Sequence, residues 1–419
     1  MATSPASREH DQVHAAFVVA WLFCVIFYFL QYAMRSMPSV MIPELSAALG
    51  IDATAVGSLV GLYFYSYALF SLIAGAALDR WGAKQVIPAG VAMVALGAVL
   101  FGIGVLQAAQ LGRLLQGAGS AFAFTGAVYL ATHGFPARFL ATAIGITQCF
   151  GMLGAAAGQF AVGPLIHGPI DWQQAWYYCA VGLVSIGIVI ALASPHTPSD
   201  AAGRTPVWSM FAPYKVVLSN PQSWLCGVTA GLLFLPTTIG AQTWAVPFLE
   251  LGLHMKYTDA VNHAATVSLG WVIGCPLLGY LADHFGRRKP VLLAGAVVAM
   301  LATAALIYLP ADVHRPYSLG LLLGIASGAA MIPYTIIKEV NPDHAKGSAT
   351  GAINFLVFTL SALLASLFGG ALARLAGDSD MDLDVFKAAG WPLVAGVGLA
   401  IVLACFIRET GSAAKPGSE

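Results

Sequence analysis

The stretch GAALDRWGAK, Gly75 to Lys84, separates two apolar runs, and it returns in altered form as GYLADHFGRRK, Gly279 to Lys289. Both read G-x-x-x-D-x-x-G followed by basic residues, and their aspartates, Asp79 and Asp283, stand 204 positions apart (283 − 79). A second pair agrees. FPARFLATAIG, with Pro136 and Gly145, matches NPDHAKGSATG, with Pro342 and Gly351, at an offset of 206 (342 − 136 and 351 − 145). Two independent patterns at nearly one offset indicate that the second half of the chain repeats the first.

Around these loops the chain is mostly hydrocarbon. Of 419 residues, 58% are hydrophobic and 9% charged, against about 25% charged in an ordinary soluble domain. A water-soluble globule of this size could not hide so much apolar surface. The apolar runs have about the twenty residues that a helix needs to cross roughly 30 Å of lipid. Twelve are readable, near 15–37, 53–77, 86–106, 109–132, 139–165, 174–193, 223–248, 261–282, 290–309, 316–337, 348–376 and 387–408. Backbone groups in lipid must bond within their own segment, which makes these runs helices. The small residues of GMLGAAAGQFAVG recur at helical spacing and suit close helix packing.

The longest polar interruption, Ser194 to about Gln222, divides the runs six and six. The expected organisation is a cytoplasmic tail (1–14), a first six-helix bundle (15–193), a cytoplasmic linker (194–222), a second bundle (223–408) and a cytoplasmic tail (409–419). SPHTPSDAAGRTP reads as flexible, and VWSMFAPYKVVLS as a segment lying on the membrane surface, with Pro213 limiting any helix there. Thirteen Lys and Arg fall on the side of the termini, against Lys256, Arg315, Arg374 and Lys387 on the other. That bias puts both termini in the cytoplasm. Net charge is zero, which gives no footprint for nucleic acid. The six cysteines have no metal-ligand spacing and read as small buried hydrophobes. The N-terminus has no basic n-region, so no removable signal peptide is expected.

The repeated loop and Arg113-Leu-Leu-Gln116-Gly117-Ala-Gly119 resemble the major facilitator superfamily over nearly the whole chain. The resemblance implies an all-α integral membrane protein with 12 transmembrane helices. Two six-helix bundles, related by a pseudo-two-fold repeat, would rock about a central cavity. It further implies a bacterial inner (plasma) membrane protein, expected as a monomer, whose partners are a small-molecule substrate and the lipid bilayer. No cofactor or metal is expected. GQFAVGPL, PYTIIKEVNP and TGAINFLVF look like a group that includes phagosomal transporters of intracellular bacteria and a lysosomal dipeptide carrier. The spacing from Arg35 to Gly50 is similar to the anion:cation symporter branch, where the first-helix arginine contacts an anionic substrate. Met34 stands where that branch commonly has an aspartate.

Two sets of candidate residues follow. In the loops, Gly75 and Gly279 would let helix ends approach closely, while Asp79 and Asp283 accept hydrogen bonds from a helix N-terminus or an arginine. With Arg80, Gly82, Lys84, Arg113, Arg138, Gly286, Arg287, Lys338 and Glu339 they would hold the bundles together at the cytoplasmic side when the cavity opens outward. The plainer alternative is a solvated turn carrying topology charges.

Inside the spans, Arg35 has Gln31 one turn earlier, Tyr28 beyond it and Tyr32 alongside. Tyr63 and Tyr67 face alike on the second span. A charge within a span marks a functional site by default, unless Arg35 snorkels to the interface. Arg113 is open between scaffold and function, and Gln116 and Gln148 lie on candidate cavity faces. The second half adds Gln242, Trp271, Tyr334 and Asn354, with Trp244 and His263 near them; its aromatics could line a cavity or belt the interface.

No Asp or Glu falls near the middle of a span, which disfavours carboxylate-based proton antiport. The reading is a transporter for a small carboxylate-bearing solute (an amino acid, short peptide or organic acid), with Arg35 gripping the carboxylate. Carriage of a siderophore or an amphipathic compound is the alternative within the same class, and a non-transporting receptor the alternative outside it. No nucleophile elbow, metal-binding spacing or phosphate loop is present, so no enzyme is expected.

Overall fold

The computed structural model describes residues 15–135, 137–195, 211–310, 316–342, 345–377 and 381–410, with the side chains of Asp79, 137–142 and Lys346 excepted. The expected tail at 1–14, most of that at 409–419 and linker residues 196–210 lie outside the described residues. Among those described there is no strand, and twelve helices are long and apolar enough to cross a membrane. In the first half they are α1 (Ala15–Ser36), α2 (Ala53–Trp81), α3 (Ala83–Gly102), α4 (Leu106–Gly134), α5 (Ala137–Phe160) and α6 (Trp172–Ala193). The second half has α7 (Pro221–Gly252), α8 (Tyr257–His284), α9 (Arg288–Tyr308), α10 (Tyr317–Glu339), α11 (Lys346–Ala376) and α12 (Leu383–Phe406).

Polar residues at the loop edges set several helix starts. Asp52 accepts from the Ala55 amide at 2.7 Å to open α2, and Asp382 accepts from the Val385 amide at 2.9 Å to open α12. Asn220 caps α7, with Pro221 in the first turn, where a missing N–H costs nothing. Pro213 behaves in the same way. Expected to limit a helix in the linker, it instead sits in the first turn of a short one, Ala212–Ser219.

The repeated loop owes its second glycine to backbone geometry. Gly82 alone joins α2 to α3 at φ +74°, and Gly286 takes φ +60° between α8 and α9, a region that side chains disfavour. Its first glycine does not do what the sequence suggested. A Cβ on Gly279 would meet nothing within 4 Å, and one on Gly75 would meet only the Tyr214 hydroxyl at 3.9 Å. Close helix approach occurs deeper in the bundles. Gly154 and Gly158 of α5 press on the Phe29 and Ala33 carbonyls of α1, as the small-residue stripe predicted. Gly117 of α4 presses on the Tyr63 carbonyl of α2, and Gly324 of α10 on the Val267 carbonyl of α8, so the sequence repeat is also a packing repeat.

The two halves meet where α2 packs on α11 and α5 on α8. At the end away from the linker they are bonded across the seam. Tyr257 of α8 donates to the Val40 carbonyl at 2.7 Å, and the Gln159 amide of α5 donates to the Ala241 carbonyl of α7 at 2.8 Å. Ala241 belongs to a π-helical segment, Pro236–Trp244, in which the Trp244 ring lies against Gly57 of α2. π-helical turns are rare and concentrate at functional places.

Candidate functional site

α1 sets Tyr28, Gln31, Tyr32 and Arg35 on one face, and all four are buried. The α5 glycine stripe holds that face in place, with Gly151 against the Tyr28 ring. Between the halves is a cavity of about 270 Å³, lined from the first half by Tyr28, Tyr32, Tyr67, Phe124 and Gln148, and from the second by Phe234, Met331, Tyr334, Asn354 and Phe358.

Arg35 stands behind this lining. Its guanidinium carbon is 3.7 Å from the Tyr32 ring centroid and 5.8 Å from that of Phe358, so it stacks on one wall of the cavity. The side chain is 2% exposed, and Nε, Nη1 and Nη2 have no protein partner. A residue snorkelling to a headgroup would be exposed; this one is enclosed by tyrosines. Its place in the last turn of α1 puts the cation at the negative end of the helix dipole.

Three buried amides around it are oriented alike. Tyr63 donates to Gln31 Oε1 at 2.8 Å, Tyr28 to Gln148 Oε1 at 3.1 Å, and Tyr334 to Asn354 Oδ1 at 2.7 Å. Each carbonyl accepts a hydrogen bond from a phenol. The Gln31 Nε2 has no partner.

Of the sequence-selected residues, Tyr32, Tyr67, Gln148, Tyr334 and Asn354 line the cavity, while Arg35, Gln31 and Tyr63 are buried without lining it. Gln116, Gln242 and Trp271 do not line it. Gln116 accepts from Arg113 Nη1 at 2.7 Å and donates to the Gly97 carbonyl at 2.9 Å, while Arg113 Nη2 donates to the Val60 carbonyl at 3.3 Å. This pair ties α4 to α2 and α3. Trp271 donates to Thr237 at 2.8 Å and stacks on Phe234 inside the second half. Gln242 is buried on the π-helical segment with both polar atoms unpartnered. Phe124, Phe234, Met331 and Phe358 escaped the sequence reading, because one more aromatic or methionine in an apolar helix carries no signal of its direction.

The expected gate residues also resolve differently. Arg288, rather than Arg287, pairs with Asp283 at 2.9 Å and with Glu339 at 2.8 Å, while Arg287 is exposed. Glu409 accepts from the Arg288 and Lys289 amides at 2.8 and 3.0 Å, completing the cluster at the start of α9. These bonds join α8, α9, α10 and the following tail, so they brace one half and do not cross the seam. Arg80 lies 5.9 Å from the Trp81 ring, and Lys84 is exposed. The Asp79 and Arg138 side chains lie outside the described residues. Nor are all the cysteines buried: Cys24 and Cys226 are, whereas Cys405 is exposed.

A larger cavity, about 800 Å³, lies within the second half beside Trp244, Phe248, His263 and Thr303. Its lining carries no Asp, Glu, Lys or Arg, and it touches a single bundle. The smaller cavity is built by both halves.

Two repeated six-helix halves around a shared polar pocket define the architecture of a membrane transporter. The profile described as Major Facilitator Superfamily matches residues 24–366 and 264–418, and the chain belongs to that superfamily. It is 24% identical over 387 residues to the rat (Rattus norvegicus) "MFS-type transporter SLC18B1", covering 86% of this chain and 80% of that protein. To the "Cis,cis-muconate transport protein" of Acinetobacter baylyi it is 22% identical over 417 residues, covering 93% and 94%. Among solved structures, a bacterial homologue of the human lysosomal transporter Spinster superposes with a TM-score of 0.67 at 16% identity, covering 94% of this chain and 95% of that one.

Proposed function

We propose that the protein carries a small carboxylate-bearing organic solute across a bacterial inner membrane by alternating access, with Arg35 as the anion grip. The observation that supports this most strongly is the state of Arg35: a permanent cation, 2% exposed, with three unpartnered nitrogen donors beside a cavity that no Asp or Glu lines. Leaving a buried donor unsatisfied costs about 1–3 kcal/mol, and more when it is charged. An anionic oxygen is the partner that removes this penalty, and a guanidinium can hold a carboxylate with two parallel bonds. Swinging the Tyr32 ring aside would bring the two together.

The superfamily relative named for cis,cis-muconate carriage supports a carboxylate cargo. The cavity that the halves enclose is narrow, which favours a small acid over a siderophore or a bulky amphipath. The reading includes a monomer with both termini cytoplasmic, as the loop charges direct. It also includes bundles at 15–193 and 223–408 about the linker at 194–222, and affinity with the phagosomal and lysosomal group. The bonded seam beside Tyr257 and Gln159 would then be a closed outer gate.

The test is uptake into proteoliposomes by the parent and by Arg35→Lys. The lysine keeps the charge and loses the fork, so uptake of the carboxylate cargo should fall by about tenfold or more while yield and monodispersity hold. Equal uptake by the two proteins would overturn the assignment of Arg35.

A further inference from the structure

Resting on the proposed anion grip, we infer a narrower cargo: a carboxylate whose other polar atoms are hydrogen-bond acceptors and which carries no ammonium group. The site is rich in donors and has no anionic acceptor. The carbonyls of Gln31, Gln148 and Asn354 each accept from a tyrosine, so each amide keeps its NH2 donors and a single further lone pair. Arg35 adds its unpartnered nitrogens. The acceptors beside them include the oxygens of Tyr28 and Tyr334, whose protons go to Gln148 and Asn354, and none of these acceptors is anionic.

Charge points the same way. An amino acid brings an ammonium beside its carboxylate, and such a group needs an anion or several carbonyls when taken out of water. None of the cavity-lining residues is acidic, and the acids flanking the spans, among them Glu44, Glu250 and Glu339, are not part of the lining. An ammonium held near Arg35 would therefore meet a like charge with nothing to offset it. The apolar part of the wall, Phe124, Phe234, Phe358 and Met331, receives a hydrocarbon or aryl body. The fitting ligands are 2-oxo acids, dicarboxylates and aryl acids.

Three matched pairs differ only at C2, a carbonyl in one member and an ammonium-bearing carbon in the other: pyruvate and alanine, 2-oxoglutarate and glutamate, phenylpyruvate and phenylalanine. Their affinities for the purified full chain are to be measured by thermal shift and by isothermal titration, in the parent and in Arg35→Lys. In at least one pair the oxo acid should bind about tenfold or more tightly than its amino partner, and Arg35→Lys should weaken that binding by about tenfold or more. A second variant, Asn354→Asp, puts an anion on the cavity wall and should narrow or reverse the preference.

Amino acids that bind as tightly as oxo acids, in an Arg35-dependent way, would overturn the inference and leave the anion grip standing. No binding by any of the six compounds, or an Asn354→Asp protein with an unchanged preference, would also overturn it. Binding of the acids undiminished by Arg35→Lys would remove the anion grip as well.

Discussion

Arg35 and Arg113 are both buried arginines of the first half, yet their surroundings give them opposite work. Arg113 spends two of its three nitrogens on Gln116 and the Val60 carbonyl, whereas Arg35 spends none on the protein. The two should therefore respond differently to mutation. Arg113→Ala leaves Gln116 Oε1 and a backbone carbonyl without donors and is expected to destabilise the protein by about 2–4 kcal/mol, read as a lower melting temperature without ligand. Arg35→Ala removes a buried charge that has no partner, so its ligand-free melting temperature should stay level or rise while binding is lost. A ligand-free fall as large as that of Arg113→Ala would place Arg35 in the scaffold too. Tyr334→Phe belongs to the same scale. It frees the Asn354 carbonyl and should cost about 1–3 kcal/mol of stability unless a water replaces the phenol.

Helices place these residues through contacts that sequence reveals unevenly. The α5 stripe was legible because glycines at helical spacing have one common use, and Gly154 indeed lies on the Phe29 carbonyl of α1. Gly154→Val should drive α1 away from α5, carrying Arg35 with it, and should lower both yield and melting temperature; a folded variant with parental binding would show that this contact does not position the site. At the start of α2, the Thr54 hydroxyl and the Ala55 amide hold the Asp52 carboxyl below the usual carboxylate range. Because the folded pKa is lowered, this cap stabilises α2 above the ordinary carboxylate pKa and is lost as pH falls through the depressed value. Asp52→Ala should cost about 1 kcal/mol near neutral pH and nothing at a pH below the folded pKa, measured by thermal denaturation.

Twelve spans and their six-and-six division could be read because length and hydropathy are properties of a segment alone, and the repeat followed from spacing. What escaped were relations between segments. Arg287 and Arg288 are adjacent in sequence, and only the fold turns the second toward Asp283 and Glu339. The sequence also could not show that Gln116 faces α3 and Arg113, or that Phe358 reaches across to within 4.0 Å of Tyr67. The π-helical turn of α7 went unread as well, although Pro236, Gly240, Gln242 and three threonines set it apart from an ordinary apolar helix. At the scale of the whole molecule, the Tyr257–Val40 bond is one of the ties that shut the seam. Tyr257→Phe removes about 0.5–1.5 kcal/mol and should raise the open population of that end by about two- to twelvefold. A cysteine placed at Ser39, buried in the closed form, would report this as faster labelling by a membrane-impermeant thiol reagent in a background free of native cysteines. An unchanged rate would mean that the bond does not hold the gate.

The most direct test of the anion grip is a structure of the protein with a carboxylate cargo bound. The account predicts the carboxylate within about 3 Å of two Arg35 nitrogens, with Tyr32 displaced from the guanidinium face. A cargo seated elsewhere, with Arg35 still stacked on Tyr32 and its nitrogens still without an anionic partner, would contradict it.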